Sequence, residues 1–390
     1  MESPRLRRRF VVPALAFGSA VAVFAAMTCF GPPSCSLADP DPGLSTAGFV
    51  IPFPNALQQE IKRLNGEADS ETDKVKKDKL VKKAWILDAA LADLLPQPFT
   101  SNASLYGLNS LKDYQFDFSK TFGDPAFYPK YYASPFKNNV VTVIKEGGGH
   151  YNYLGDEVWV DFANYELGGG VFGNGMVQEE TMALTMPQLA NAAANHYHTR
   201  SQGHPGVLGS NPDPIVLTNV QRSIELDHGL YKDGWLTVPL DQIKNTTKPQ
   251  SPNQHLNVLA IAVEKLNGTW EEQSDIKTLD DLFNTFVAGF TLAKNIKPNV
   301  VINTGPIGTG DFKNDPKVIY VMQNLAAQQV GGITLRYWGY NPDDKKHHPE
   351  QQSYDPTVAQ IIDKWKKDPD KKVINLLLIA YGCLTGKPSG

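Results

Sequence analysis

Cysteine is scarce in this chain, at three among 390 residues, and that excludes a disulfide framework as the source of its stability. Two of the three, Cys29 and Cys35, precede Leu37, so removal of a leader would leave Cys383 alone, and no motif marks Cys383 as a nucleophile. A basic excess is missing as well. The formal net charge is −4, and a chain without surplus cations cannot displace counterions from a polyanion, so no general nucleic-acid binding is expected. Beyond the N-terminal run there is no stretch apolar enough to span a bilayer. There is no Gly-x-Ser-x-Gly elbow and no Walker-type Lys-Ser/Thr after a glycine loop. His196-Tyr197-His198, with His204 nearby, has no obvious carboxylate partner, and His347-His348 sits in a Lys/Asp/Pro loop, so no metal is assigned to either.

The N-terminus has the form of a targeting segment. Arg5, Arg7, Arg8 and Arg9 precede an apolar run over residues 10–30, which leads into small residues and a proline-rich stretch. Ser36-Leu37-Ala38 matches a cleavage site, which gives a signal peptide over residues 1–38 and a secreted product. The run is also long enough to act as a retained membrane anchor. Three sequons, at Asn102, Asn245 and Asn267, fit a eukaryotic secretory route.

With 41% hydrophobic residues, the chain can bury one large α/β domain plus an accessory layer. Residues 56–95 read as helical: Leu57, Ile61 and Leu64, and later Trp85, Ile86, Leu87, Ala90, Leu91 and Leu94, recur at helical spacing. Lys74, Val75, Lys76 and Lys77 between them read as a solvated face. Residues 96–138 have no clear period, which makes 39–138 a helical and irregular accessory region. From residue 139 to 390, short β-branched runs alternate with amphipathic helices, the pattern of an α/β sheet. Strands are expected at 140–144, 158–162, 215–217, 258–263, 300–302 and 333–337. A helix carrying Leu279, Leu282, Phe283, Phe286, Val287 and Phe290 is expected to be capped by Thr278, with Asp281 three residues on. Another helix follows Asp315-Pro316, and a last pair of elements fills 358–381.

The segment from Asp161 to Glu180 is where chemistry is expected. A strand ends near Asp161 and Asn164, runs into glycines at 168, 169, 170, 173 and 175, then opens a helix at Gln178-Glu179-Glu180. Glycines without Cβ atoms let backbone N–H groups approach an anion, and a helix N-terminus adds the positive end of its dipole. Acidic residues in a first helical turn also complement that dipole with no further role. Adjacent glutamates do not share a helix face, so one is expected to enter the cleft while its neighbour braces the loop. A partly desolvated carboxyl beside phosphates is suited to general acid work. A second glycine turn, Asn303 to Phe312, follows the strand at 300–302, and two such loops suit a pyrophosphate held between them.

Asp161-Phe162-Ala163-Asn164, three glycines, seven intervening residues and Gln-Glu-Glu resemble the signature of the poly(ADP-ribose) glycohydrolases. Gly308-Thr309-Gly310-Asp311-Phe312 resembles that family's diphosphate loop, and the likeness extends loosely over residues 140–340. The resemblance implies a macrodomain-like mixed sheet flanked by helices, gripping ADP-ribose without a cofactor. Glu180 would be the acid/base, with Glu179 and Asp161 supporting it and orienting the ribose. Asn164 would bond a ribose hydroxyl, Gly168, Gly169 and Gly170 would lie against the distal ribose and phosphate, and Gln178 would join the substrate contacts. Gly308, Thr309, Gly310, Asp311 and Phe312 would cradle the diphosphate, and Trp338 would offer an aromatic face to adenine. The expected partner is poly(ADP-ribose) or an ADP-ribosyl conjugate, ADP-ribose is the product, and the chain is expected to be a monomer. The sequence departs from the family at the acidic pair that meets adenine, where Glu146-Gly147-Gly148-Gly149-His150-Tyr151 stands. Tyr231 is the nearest match to the family's tyrosine after the next strand. A non-catalytic ADP-ribose reader and a hydrolase of another nucleotide-sugar bond stay open beside the glycohydrolase reading.

Overall fold

Strand β4, Val158–Phe162, shows the two-residue period that organises the whole molecule. Val158 and Val160 enter one core with Leu259 and Ile261, while Trp159 points to the opposite face and packs with Val258 and Ala260. A strand that is apolar on both sides needs covering on both sides, and helices supply it. The structure is a computed structural model that describes residues 49–50, 55–92, 104–107, 141–144, 150–173, 175–200, 212–226, 238–339, 354–369 and 373–387.

Among the described residues the sheet has eight strands: β1 Phe49–Val50, β2 Ser104–Gly107, β3 Val141–Ile144, β4, β5 Ile215–Glu225, β6 Lys248–Ile261, β7 Val301–Thr304 and β8 Thr334–Trp338. Their spatial order is β1-β2-β5-β6-β4-β7-β8-β3. The run from β6 to β3 is parallel, and β1, β2 and β5 extend it antiparallel on the other side. The fold is therefore mixed α/β. Helices α1 Asn55–Ser70, α2 Lys74–Ala92, α3 Gln178–Thr185 and α4 Pro187–Ala194 contribute to the core on one face. Helices α7 Ile276–Ile296, α8 Pro316–Val330, α9 Asp355–Lys367 and α10 Val373–Thr385 contribute to the core on the other. Two short helices, α5 Leu240–Thr246 and α6 Trp270–Gln273, lie between β5 and α7 in the chain.

Local chemistry revises several boundaries. The helical stretch at 56–95 is two helices, because Asp73 Oδ1 accepts from the Val75 and Lys76 N–H groups at 2.9 and 3.1 Å and starts α2 afresh. Lys74, Val75 and Lys76 are exposed, as a solvated face requires. Asp275 caps α7, accepting from Lys277 N at 3.2 Å. Thr278, the expected cap, is buried inside the helix, and Asp281 turns away to Arg200. Asp315 caps α8 through the N–H groups of Lys317 and Val318, and Pro316 stands where its missing N–H costs nothing. Strands β5 and β6 run well beyond the expected 215–217 and 258–263, as a long antiparallel pair.

Residues 1–38, the Asn102 sequon, Glu146 to Gly149, Asn174, His204, Tyr231 and His347-His348 lie outside the described residues. Among the described residues, no helix is long and apolar enough to cross a membrane. Asn245 and Asn267, the other two sequon asparagines, are both exposed.

Candidate active site

The carboxyl ends of β6, β4, β7 and β8 lie on one edge of the sheet, where open α/β sheets place their ligands. Strand β4 pairs with β6 along its whole length but with β7 only at Val158 and Trp159. The backbone of Val160 and Phe162 is thus open on the β7 side, and the Gln178 amide closes it. Phe162 N donates to Gln178 Oε1 at 2.9 Å, and Gln178 Nε2 donates to Val160 O at 3.0 Å. Gln178 therefore completes the strand edge and seats α3 on β4; its amide is committed to backbone and is not displayed as a substrate contact.

The glycine loop behaves differently from expectation in one important respect. Its N–H groups do approach anions, but the anions are the protein's own glutamates. Gly168 N donates to Glu179 Oε1 at 2.7 Å and Asn164 N to Glu179 Oε2 at 2.9 Å. Gly170 N donates to Glu180 Oε1 and Val177 N to Glu180 Oε2, both at 2.8 Å. The bond from Val177 is the backbone half of a capping box, since a valine side chain has no acceptor to complete the other half. Gly169 N is bonded to Glu166 O, and Gly173 N and Gly175 N both reach Gly170 O. Both glutamates brace the loop; the expected division of labour between them is not seen. Gly168 adopts a left-handed φ of 86°, and a Cβ on Gly170 would come 3.2 Å from Glu180 Oε1, so bare backbone here serves the carboxylates directly.

Beneath them lies Asp161, fully buried at the end of β4, with neither carboxyl oxygen bonded to a protein donor among the described residues. Burial first, and then the nearby Glu180 charge, holds the Asp161 carboxyl well above its ordinary range. Burial and the Asp161 charge also push Glu179 well above its ordinary range, against the downward pull of its bonds from Asn164 and Gly168. Asp161 and Glu179 therefore share one dry place beside Glu180, and burial with mutual repulsion favours keeping protons on that pair.

A cation that sequence reasoning missed reaches the same loop. Lys83 of α2 is 1% exposed and donates from Nζ to Gly170 O at 3.3 Å. Burial lowers its ammonium to about 7, opposed chiefly by the Glu180 charge and then by Glu60. In the sequence it is one more lysine in a run of lysines, and nothing there sets it apart.

The second glycine loop follows β7, adjacent to β4, and a Cβ on Gly305 would come 2.9 Å from the ring of Phe162 at the end of β4. Gln323 Nε2 holds Gly305 O at 2.9 Å while its Oε1 accepts from Thr304 Oγ1 at 2.7 Å. Asn314 Nδ2 donates to Glu264 O at 2.9 Å and to Gly308 O at 3.3 Å, tying the loop to the end of β6. Thr309 turns its hydroxyl back onto Pro306 O at 2.9 Å. By contrast, the N–H groups of Gly308, Gly310, Asp311 and Phe312 have no acceptor among the described residues. Unbonded N–H groups in a glycine turn are the chemistry that suits an anion, and this loop, rather than the first, displays them.

Trp338 is 4% exposed. Its Nε1 donates to Asn303 Oδ1 at 2.8 Å, and its rings pack on Tyr151 and Trp159 with centroids 5.9 and 6.0 Å away. It is a core residue that ends β8 and has no open face for adenine. Asn164 uses its backbone N–H for Glu179 and its Oδ1 for Tyr165 N, leaving Nδ2 without an acceptor among the described residues. Tyr165 carries the His198 ring at 4.9 Å, and Thr199 Oγ1 donates to Asn164 O at 2.6 Å. Arg200, 2% exposed, ties this segment to the end of β6 through Ala262 O at 3.1 Å and Glu264 at 3.2 Å.

No family model and no curated protein matches the chain. Solved structures do match. The chain is similar to the poly(ADP-ribose) glycohydrolase of Thermomonospora curvata, at 16% identity and a TM-score of 0.40, over 69% of this chain and 88% of that one. It is similar to that of Deinococcus radiodurans in complex with ADP-ribose, at 13% identity and a TM-score of 0.41, over 70% and 98%. The Thermomonospora protein bound to the inhibitor ADP-HPD matches at 15% identity and a TM-score of 0.41, over 69% and 88%.

Proposed function

We propose that this chain hydrolyses the ribose–ribose O-glycosidic bond of poly(ADP-ribose), with Glu180 as acid/base. The observation that carries the reading is the clamped Glu180 carboxyl: 5% exposed, held at both oxygens by backbone N–H groups, and set beside the buried acids Asp161 and Glu179. Each oxygen accepts one bond and keeps a second lone pair, so the clamp orients the group without filling it. Protonated Glu180 gives its proton to the bridging oxygen as the bond from the ribose anomeric carbon breaks. The bonding electrons leave with that oxygen, and the ribose becomes oxocarbenium-like. As carboxylate, Glu180 then takes a proton from water, whose oxygen bonds to the anomeric carbon. A single carboxyl serves both steps, unlike the paired carboxylates of most glycosidases.

The free N–H groups of Gly308, Gly310, Asp311 and Phe312 supply donors for a diphosphate, and Asn164 Nδ2 is available to a ribose hydroxyl. If the leader acts as a secretory signal, this activity belongs outside the cytosol.

One observation favours a second reading. Both glutamates give both oxygens to the loop, which would also suit an ADP-ribose-binding module that uses them only to shape its site. Release of ADP-ribose from poly(ADP-ribose) by the purified chain, beside Glu180→Gln, separates the two. Turnover that falls by about 10³-fold or more in the variant supports the acid/base. ADP-ribose binding with no turnover by either protein favours the binding module.

A further inference from the structure

We propose that Lys83, from the N-terminal helical layer, is a positioning residue of the active site: its ammonium fixes the glycine loop that holds Glu180. The inference rests on the glycohydrolase reading above and extends it to a residue more than 70 positions upstream of the signature.

Gly170 is the hub of the loop. Its N–H holds Glu180 Oε1, and its carbonyl accepts from Gly173 N at 2.8 Å, from Gly175 N at 3.1 Å and from Lys83 Nζ at 3.3 Å. The N–H and the carbonyl of Gly170 lie on the two peptide planes that meet at its Cα, so gripping both fixes the backbone torsions of Gly170, and Lys83 acts on the acid through that single residue. Helix α2 packs on α1, α3 and α4, and Lys83 is 1% exposed at that junction. Among the described residues, charged groups that act on it include Glu180 from α3, Glu60 and Arg63 from α1, and Lys79 from its own helix. A fold seldom buries an ammonium without a task for it, because desolvation disfavours the charge. Met or Leu would fill the same space at lower cost. Burial brings the ammonium to about 7, so its charge responds to pH in the range where an acid/base enzyme works.

The test compares the full-length chain with Lys83→Met and Lys83→Arg by two readouts. The first is steady-state kinetics on poly(ADP-ribose) across pH. Lys83→Met lowers kcat about tenfold or more with KM little changed, and Lys83→Arg, whose charge persists at alkaline pH, retains activity and moves the alkaline limb of the kcat profile upward. The second is hydrogen exchange of the peptide spanning 168–177, which needs no turnover. Protection there falls about tenfold in Lys83→Met relative to that of β6 and β7. Wild-type kcat and an unmoved alkaline limb in both variants, or unchanged loop protection in Lys83→Met, overturns the proposal. An inactive wild type whose loop loses protection in Lys83→Met removes the glycohydrolase reading but keeps Lys83 as the residue that positions the loop.

Discussion

A Cβ on Gly175 would stand 2.6 Å from Glu180 Cδ, so the glutamate occupies the volume that any other residue at 175 would claim. The acid of the site is placed by a missing side chain as much as by the groups that bond it.

Gly175→Ala therefore displaces the Glu180 carboxyl and breaks its bonds to Gly170 and Val177. The expected cost is about 1–3 kcal/mol of stability, with catalysis lost beyond what the stability loss explains. Gly66→Ala in α1, outside the site, is the control, because a Cβ there meets nothing within 4 Å, and its stability should lie within about 1 kcal/mol of wild type. Chemical denaturation of both variants, with turnover at matched folded fraction, checks the contrast. Equal losses would show that the Gly175 contact is not specific to Glu180.

Asp161→Asn is expected to stabilise the protein near neutral pH. The Asp161 carboxyl sits well above its ordinary 3.8 in the folded chain, so the folded state keeps a proton that the unfolded state releases. Its contribution is full below the unfolded value and is lost as pH rises through the folded one. Asparagine has no charge to repel Glu180, and the variant should gain on the order of 1 kcal/mol at pH 7, with the gain shrinking as the pH approaches 3.8. Thermal melts across this range test the sign. A variant less stable than wild type at pH 7 would mean that Asp161 is ionised and supported.

Lys83→Met follows the opposite course with pH. The folded ammonium titrates near 7 against an ordinary 10.5, so the unfolded state binds more protons between those values and wild-type stability rises with pH across that window. At pH 6 the methionine variant should be more stable by about 2–4 kcal/mol, and its advantage should fade as the pH climbs from 7 to 10.5. Gly170 O keeps two backbone donors in the variant, so that carbonyl is not stranded. Melting temperatures at pH 6 and pH 10 decide it, and a variant destabilised at pH 6 would sink this expectation.

Asp281→Ala removes the carboxylate 2.6 Å from Arg200 and leaves the buried guanidinium beside Glu264 among the described residues. The loss should be about 3 kcal/mol by urea unfolding. A loss under about 1 kcal/mol would mean that Glu264 and the carbonyl of Ala262 suffice.

The inner strands were legible because Val158 to Val160 and Val258 to Ile261 are apolar on both faces, and only buried strands read that way. The outer halves of β5 and β6 were not, because Thr218 to Glu225 and Lys248 to Asn257 are largely polar and pair where one side meets water. The signature located Asp161, Glu179 and Glu180 together. It did not reveal that the first loop spends its donors on its own glutamates, since hydrogen-bond direction is a tertiary property. Trp338 was misread for a related reason: an aromatic at a strand end can face a ligand or a core, and Asn303 Oδ1 settles which. Lys83 was invisible because burial of one lysine in a basic helix depends on what docks against it.

The far edge of the sheet bears on how the chain reaches its native state. Strand β3 lies beside β8, with Val143 opposite Tyr337, so the ribosome must deliver about 190 further residues before that pair can close. Until then β3 is an unpaired, aggregation-prone edge. So high a contact order predicts slow folding in which the last ladder zips only after β8 has been made, and a chain released before that point would carry the complete Asp161 to Glu180 signature in a domain unable to finish its sheet.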